Sequence, residues 1–352
     1  MISQEIESHS PLVQNSLGAV LPYLQRAEGV WLYDTTGKDY LDGCSGAVVA
    51  NIGHSHPRVL ARIQEQAARV TYAHRGAFVT QQQIDLAQRL TQMTGFTGAW
   101  FVNSGSEAVE ATLQLAMQYH RERGEPRSHF LSHRTSYHGN TLGALSHSDH
   151  ARRSVIQGIE VSHDWLPSPY DPNQTADQLL HAAQQVIESS REPIAGILFE
   201  PVSGASLSAR PLVDGYLAGL RELCNHHGIL LIADEVMTGL GRTGKNLACD
   251  HWSIKPDLVA LGKGLGAGYT PIAAALLNET ILDVITLGSG RILGGHTYGG
   301  NPLSVAVADE VLQVTLEQDL VAASANKGTL LQQHLKRLQS AFPTLVEEVH
   351  GK

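Results

Sequence analysis

The chain has 352 residues and a mass of 38.0 kDa, about twice the usual single-domain size. Hydrophobic residues make up 42% and charged residues 17%, which excludes a disordered or low-complexity protein. The formal net charge is −9 and the lysines and arginines are scattered, so no stretch can track a phosphate backbone and no nucleic-acid partner is expected.

The N-terminal MISQEIESHSPLVQ carries acids where a signal peptide has a basic start and an apolar core. No apolar run approaches the ~20 residues of a membrane span. Cys44, Cys224 and Cys249 are odd in number and form no CxxC pair, the pattern of reduced thiols. A cytoplasmic protein without a membrane partner is the expectation.

Residues 29–42, GVWLYDTTGKDYLD, alternate apolar and polar on both sides of Thr36-Gly37 and predict a β-hairpin. From about residue 55 to 300, short apolar runs alternate with longer helical patterns. Strands are predicted at Ala99–Val102, Ile194–Phe199, Ile229–Ala233, Leu258–Leu261 and Ile272–Leu277. Helices are predicted over 57–70, 81–93, 106–123, 175–190 and 213–227. Such alternation implies an α/β fold, a mostly parallel central sheet covered by helices on both faces. Residues from Pro302 to Gln339 are helical almost throughout, and the chain then stops at VEEVHGK without an obvious cap or domain end.

In such folds ligands sit beyond the carboxyl ends of the strands, and four segments fall there. In WFVNSGSEAVEAT, residues 100–112, a strand runs into a helix start where Ser104 and Glu107 fit a capping box. The small residues leave open N–H groups that suit a phosphate as well as a plain cap. In GILLIADEVMTG, five apolar residues precede Asp234 and Glu235, so at least one acid ends a buried strand and needs a partner: a cation, as in a structural salt bridge, a metal or a protonated ring nitrogen. In DLVALGKGLGAGYT, Lys263 stands among Gly262, Gly264, Gly266 and Gly268. A lysine between glycines is commonly a surface loop; partly buried, it can form a Schiff base. In SYHGNT, residues 136–141, an aromatic beside His138 could stack on a flat cofactor. A phosphate-binding helix start, a stacking aromatic, a strand-end acid and a glycine-flanked lysine are together the parts that hold pyridoxal phosphate.

At this point the sequence resembles the class III aminotransferases, fold type I enzymes that depend on pyridoxal phosphate. The matching stretches are GVWLYDTTGKDYLDG, NIGHSHPRV, NSGSEAVEAT, SYHGNTLGA, FEPVSG, ADEVMTGLGRTG, PDLVALGKGLGAGYTPIAA and HTYGGNP, in the family's order between residues 29 and 302. The resemblance implies Lys263 as Schiff-base lysine and proton shuttle, and Asp234 as partner of the pyridine nitrogen. It implies Gly105 and Ser106 in the phosphate cup, Tyr137 stacked on the ring with His138 beside it, and Val236 on the opposite ring face. Glu200 matches an acid close to Asp234. Thr297 matches a residue that reaches the phosphate in the neighbouring subunit, so a homodimer with shared sites is implied. The implied domains are an N-terminal segment of a small domain over 1–52, a large cofactor domain over 53–305, and a connecting helix with the start of a small α+β domain over 306–352, the family usually continuing beyond it.

Two departures bear on substrate. Met237 replaces a glutamine that bonds the ring hydroxyl in many members, and Ala205 stands where glutamate-using members often carry an acid that gates a substrate arginine. The function implied is transfer of an amino group from a primary amine or ω-amino acid to a keto acid, with pyruvate favoured over 2-oxoglutarate. A lyase, racemase or decarboxylase would use the same lysine and acid. GLGRTG (Gly239, Gly241, Gly244) formally matches a dinucleotide motif, but no long helix follows it, against a dehydrogenase. A regulatory protein on this fold would need a DNA-binding module for which neither end has room or charge. The 18 histidines show no metal-site spacing, so no metal is expected and they read as surface or supporting residues.

Overall fold

The computed structural model describes residues 11–17 and 19–352, so most of the acidic N-terminal stretch discussed above lies outside the described residues. A three-stranded antiparallel sheet comes first: β1 (Leu24–Glu28), β2 (Trp31–Asp34) and β3 (Asp39–Leu41). The predicted hairpin is its β2–β3 pair, closed by Asp34, whose carboxylate accepts from the Thr36 and Lys38 amides and from two hydroxyls, those of Thr36 and Tyr40. Those bonds, led by the Thr36 hydroxyl, hold Asp34 down at about 2.

The main sheet has seven strands: β4 (Gly98–Val102), β5 (His129–His133), β6 (His163–Leu166), β7 (Ile194–Phe199), β8 (Leu230–Asp234), β9 (Leu258–Leu261) and β10 (Ala273–Leu277). Their spatial order is β4-β10-β9-β8-β7-β5-β6, and β10 alone runs against the rest. Its connection from β9, residues 262–272, holds only a single 3-10 turn, Lys263–Leu265, and tight turns, whereas a parallel neighbour needs a crossover of about a dozen residues or more, usually a helix.

Longer helices flank the sheet: α1 (Pro57–Arg69), α2 (Gln81–Thr94), α3 (Gly105–Glu122), α4 (Ala176–Ser189), α5 (Tyr216–His227), α6 (Glu279–Leu287), α7 (Pro302–Glu317) and α8 (Leu320–Ala341). Each central strand feeds two cores. In β8, Leu231 and Ala233 join one apolar cluster with residues of α2, α4, α5 and α7, while Leu230 and Ile232 join another with α3 and α6. Burial on both faces explains why these strands read as unbroken apolar runs. Among the described residues no helix is long and apolar enough to cross a membrane.

β5 and β6 escape the sequence pattern because each is short in apolar residues: β5 buries His129, Ser132 and His133 around Phe130 and Leu131, and β6 buries only Leu166. His129 of β5 pairs with Asp164 at 3.0 Å and the fully buried His133 with the Tyr216 hydroxyl at 2.8 Å. The surface reading of the histidines is corrected accordingly: His120, His129, His133, His138 and His147 are all buried. Desolvation drives His133 down to about 3 and His147 to about 4, so both are neutral core residues. Among the described residues no three histidines, cysteines or acids are placed to hold a metal.

Candidate active site

β4, β5, β6, β7, β8 and β9 point their carboxyl ends to one edge of the sheet, and a cavity of about 760 Å³ opens there. The sequence-predicted residues reach it from five strand ends. β4 delivers Gly105 and Ser106, β5 delivers Tyr137 and His138, β7 delivers Glu200, β8 delivers Asp234 and Val236, and β9 delivers Lys263. Residues separated by up to 158 positions are thereby brought to one wall. Thr297 is not among them; it lies exposed on the segment before α7.

The helix start is shaped by close approach. Ser104 caps α3 by accepting from the Glu107 amide at 3.2 Å. Glu107 does not close the box on Ser104; it reaches one residue further back, to the Asn103 amide at 2.7 Å and side chain at 2.9 Å. A β-carbon on Gly105 would sit 2.7 Å from Val236, so only glycine lets the turn pack there. Gly139, at φ +137°, lets the SYHGNT loop press on Ser106, whose hydroxyl accepts from the Asn140 amide at 2.9 Å.

Asp234 is 7% exposed and bonds His138 Nδ1 at 2.9 Å through one oxygen and the Val236 amide at 3.1 Å through the other. His138 Nε2 is buried and has no partner among the described residues. Glu200 accepts from the Tyr137 amide at 3.1 Å and the Gly204 amide at 2.9 Å, tying the SYHGNT loop to the segment that carries Ala205. Burial, reinforced by Asp234 and opposed by His138 and the two amides, pushes Glu200 up to about 7. Lys263 sits at φ +38°, a left-handed conformation that costs a residue with a β-carbon free energy and is typical of functional turns.

Several wall residues carry no sequence signal. Cys44, Ala47 and Val48 come from the loop after β3, and Arg152 from the turn Ala151–Ile156. The second acid of the strand-end pair, Glu235, faces away from the cavity. Its carboxylate accepts from Thr238 at 2.5 Å and from the Ala248 and Cys249 amides at 2.9 Å each. The GLGRTG segment is a turn followed by the short helix Ala248–Trp252, not the long helix of a dinucleotide fold.

Residues 13–352 match the model of the aminotransferase class-III family. The chain belongs to the class III aminotransferases. An uncharacterized aminotransferase, YodT, of Bacillus subtilis is 41% identical over 97% of this chain and 80% of its own length. Acetylornithine aminotransferase of Mesorhizobium japonicum is 34% identical over 98% and 82% respectively. Among solved structures, an amine transaminase from an uncultivated Pseudomonas species superimposes with a TM-score of 0.90 at 34% identity, covering 97% of this chain and 82% of that one. An (S)-enantioselective omega-transaminase from Thermomicrobium roseum does so at 0.92 and 31%, covering 100% and 81%. The fold is therefore that of the fold type I transaminases, whose cofactor is pyridoxal phosphate. The wall described above fits this group: a small-residue helix start for its phosphate, a buried acid for its ring nitrogen, and a lysine at the same edge.

Proposed function

We propose that this aminotransferase takes an amino group from a primary amine or ω-amino acid and passes it to a keto acid, pyruvate in preference to 2-oxoglutarate. It would act in the cytoplasm, as a homodimer in which Thr297 reaches the partner's site. The supporting observation is the acid inventory of the cavity. Glu200 and Asp234 are its carboxylates, each engaged by amides or a histidine, and Ala205 offers none. An arginine that must swing aside for an uncharged substrate tail finds no free acid to hold it, and a small acceptor such as pyruvate avoids that exchange. The amine transaminase and omega-transaminase neighbours agree with an amine donor, and the ornithine aminotransferases of rice and Arabidopsis, 36% and 37% identical, with one bearing a terminal amine.

When bound, pyridoxal phosphate supplies an electron sink for the carbon that bears the transferred nitrogen. The chain's own groups divide the remaining work. Lys263 Nζ would anchor the cofactor and, released, carry a proton to and from the substrate carbon. Asp234 would hold the proton on the ring nitrogen, with His138 fixing its orientation. The Gly105 and Ser106 amides would bind the phosphate at the start of α3, and Tyr137 and Val236 would flank the ring. Met237 presses its thioether on Gly204 and offers no bond to the ring hydroxyl beyond a weak acceptor.

The acceptor is tested by loading the enzyme with amine and timing recovery of the starting visible spectrum with pyruvate or with 2-oxoglutarate. Faster recovery with pyruvate is expected; faster recovery with 2-oxoglutarate would overturn the acceptor preference.

A further inference from the structure

We propose that Arg152 is the carboxylate anchor of the cavity, binding the acid group of the keto-acid acceptor and of an ω-amino-acid donor. The inference rests on the aminotransferase reading and adds to it the residue that selects for an acid.

Arg152 and Arg153 are adjacent and differently engaged. Arg153 is paired with Glu160 at 3.7 Å and lies 5.2 Å from the Trp165 ring. Arg152 lines the cavity, and among the described residues no carboxylate pairs with it. Its Nη1 donates to the Tyr137 hydroxyl at 3.0 Å, and its guanidinium carbon stands 5.5 Å from the Tyr137 ring centre. The turn beneath it is fixed as well, since His150 Nδ1 accepts from the Arg152 amide at 3.3 Å.

A carboxylate entering this cavity meets two resident acids, Glu200 and Asp234, and needs a cation to offset them. Among the described residues, Lys263 and Arg152 are the lysine and arginine of the wall, and Lys263 is assigned to the cofactor. That leaves Arg152. A guanidinium has five donors in a planar fork, and one is used on Tyr137, so a pair remains for a carboxylate. The bond to Tyr137 also holds the long side chain in place, which lowers the entropy lost on binding.

The experiment compares pyruvate with propanal, an acceptor of the same chain length without the acid, in holoenzyme carrying Arg152→Met or Arg152→Lys. Loss of one charge-assisted contact should raise the pyruvate KM of R152M roughly 10- to 100-fold, while kcat/KM for propanal stays within about threefold. R152K should fall between, because an ammonium keeps the charge and loses the fork. Equal changes for the two acceptors, or an unchanged pyruvate KM, would overturn the proposal. Spectroscopic titration of the apoprotein with pyridoxal phosphate supplies a second readout. Affinity should be unchanged; a fall in step with the pyruvate KM would assign Arg152 to the cofactor phosphate and overturn the proposal too. The same series run with 2-oxoglutarate, which also carries an acid beside its carbonyl, tests Arg152 even where pyruvate proves not to be the acceptor. Failure of the acceptor reading and failure of the anchor are thus told apart.

Discussion

Asp234 and Glu235 are neighbours at the end of one strand, both buried, and they are built for opposite tasks. Glu235, 1% exposed, spends both oxygens on three donors from the loop that follows it, which fastens residues 238–249 to the sheet. Asp234 opens on the cavity and has the His138 ring at one oxygen and a single amide at the other. Burial is common to both, so burial alone does not mark a catalytic acid. What sets Asp234 apart from Glu235 is a histidine partner and a wall left open to a ligand.

The largest expected effect lies beside the pair. Lys263→Ala should cost at least about a thousandfold in turnover and abolish the cofactor mass trapped on the protein by borohydride, because no other amine occupies that turn. Near-normal rates would break the whole assignment. Asp234→Asn should lower kcat on the order of a hundred- to a thousandfold, equivalent to about 3–4 kcal/mol, with melting little changed. Glu235→Ala should do the reverse. It strands a hydroxyl and two buried amides, so it should cost about 4 kcal/mol of stability in denaturant titrations while activity per folded molecule stays within about threefold. A variant of Glu235 that is stable and inactive would erase the contrast.

Glu200 sharpens the comparison through pH. Its carboxyl rises from 4.5 to about 7 on burial, so between those values the native state holds a proton that the unfolded chain has lost. This residue's contribution to stability therefore falls as pH rises from about 4.5 to 7 and is level above. At about 1.4 kcal/mol per unit, the amplitude is no more than about 3.5 kcal/mol. Glu200→Gln should remove that slope when unfolding free energies of the two proteins are compared across the range.

Much of this molecule can be read before any coordinates. β7 and β9 lie where their apolar runs place them, and α1, α2, α3 and α4 end within one residue of the predicted bounds, because two-faced burial and helical periodicity are strong local signals. β5 and β6 are not legible: His129 and His133 of β5 are buried with partners far away in sequence, and β6 offers only Leu166 to the core. The site splits in the same way. Gly105, Asp234 and Lys263 sit at strand ends and announce themselves by context. Arg152 and Cys44 come from turns with no pattern, and only the folded chain shows that they share a wall with Lys263. The capping box was half right: Ser104 caps, and the acid reaches one residue past it.

The antiparallel strand β10 also governs timing. β4 has β10 as its sole neighbour in the sheet, with Gly98 opposite Leu277 and Val102 opposite Ala273. On a ribosome adding about 5–20 residues per second, β4 leaves the tunnel on the order of ten seconds or more before its neighbour exists. During that interval GAWFV is an apolar strand with both edges unpaired, and the helix start it leads into has no sheet to be held against. The α3 end of the pocket is thus made early and placed late. A nascent chain paused between Val102 and Ala273 carries an aggregation-prone segment and no completed pocket to shelter it.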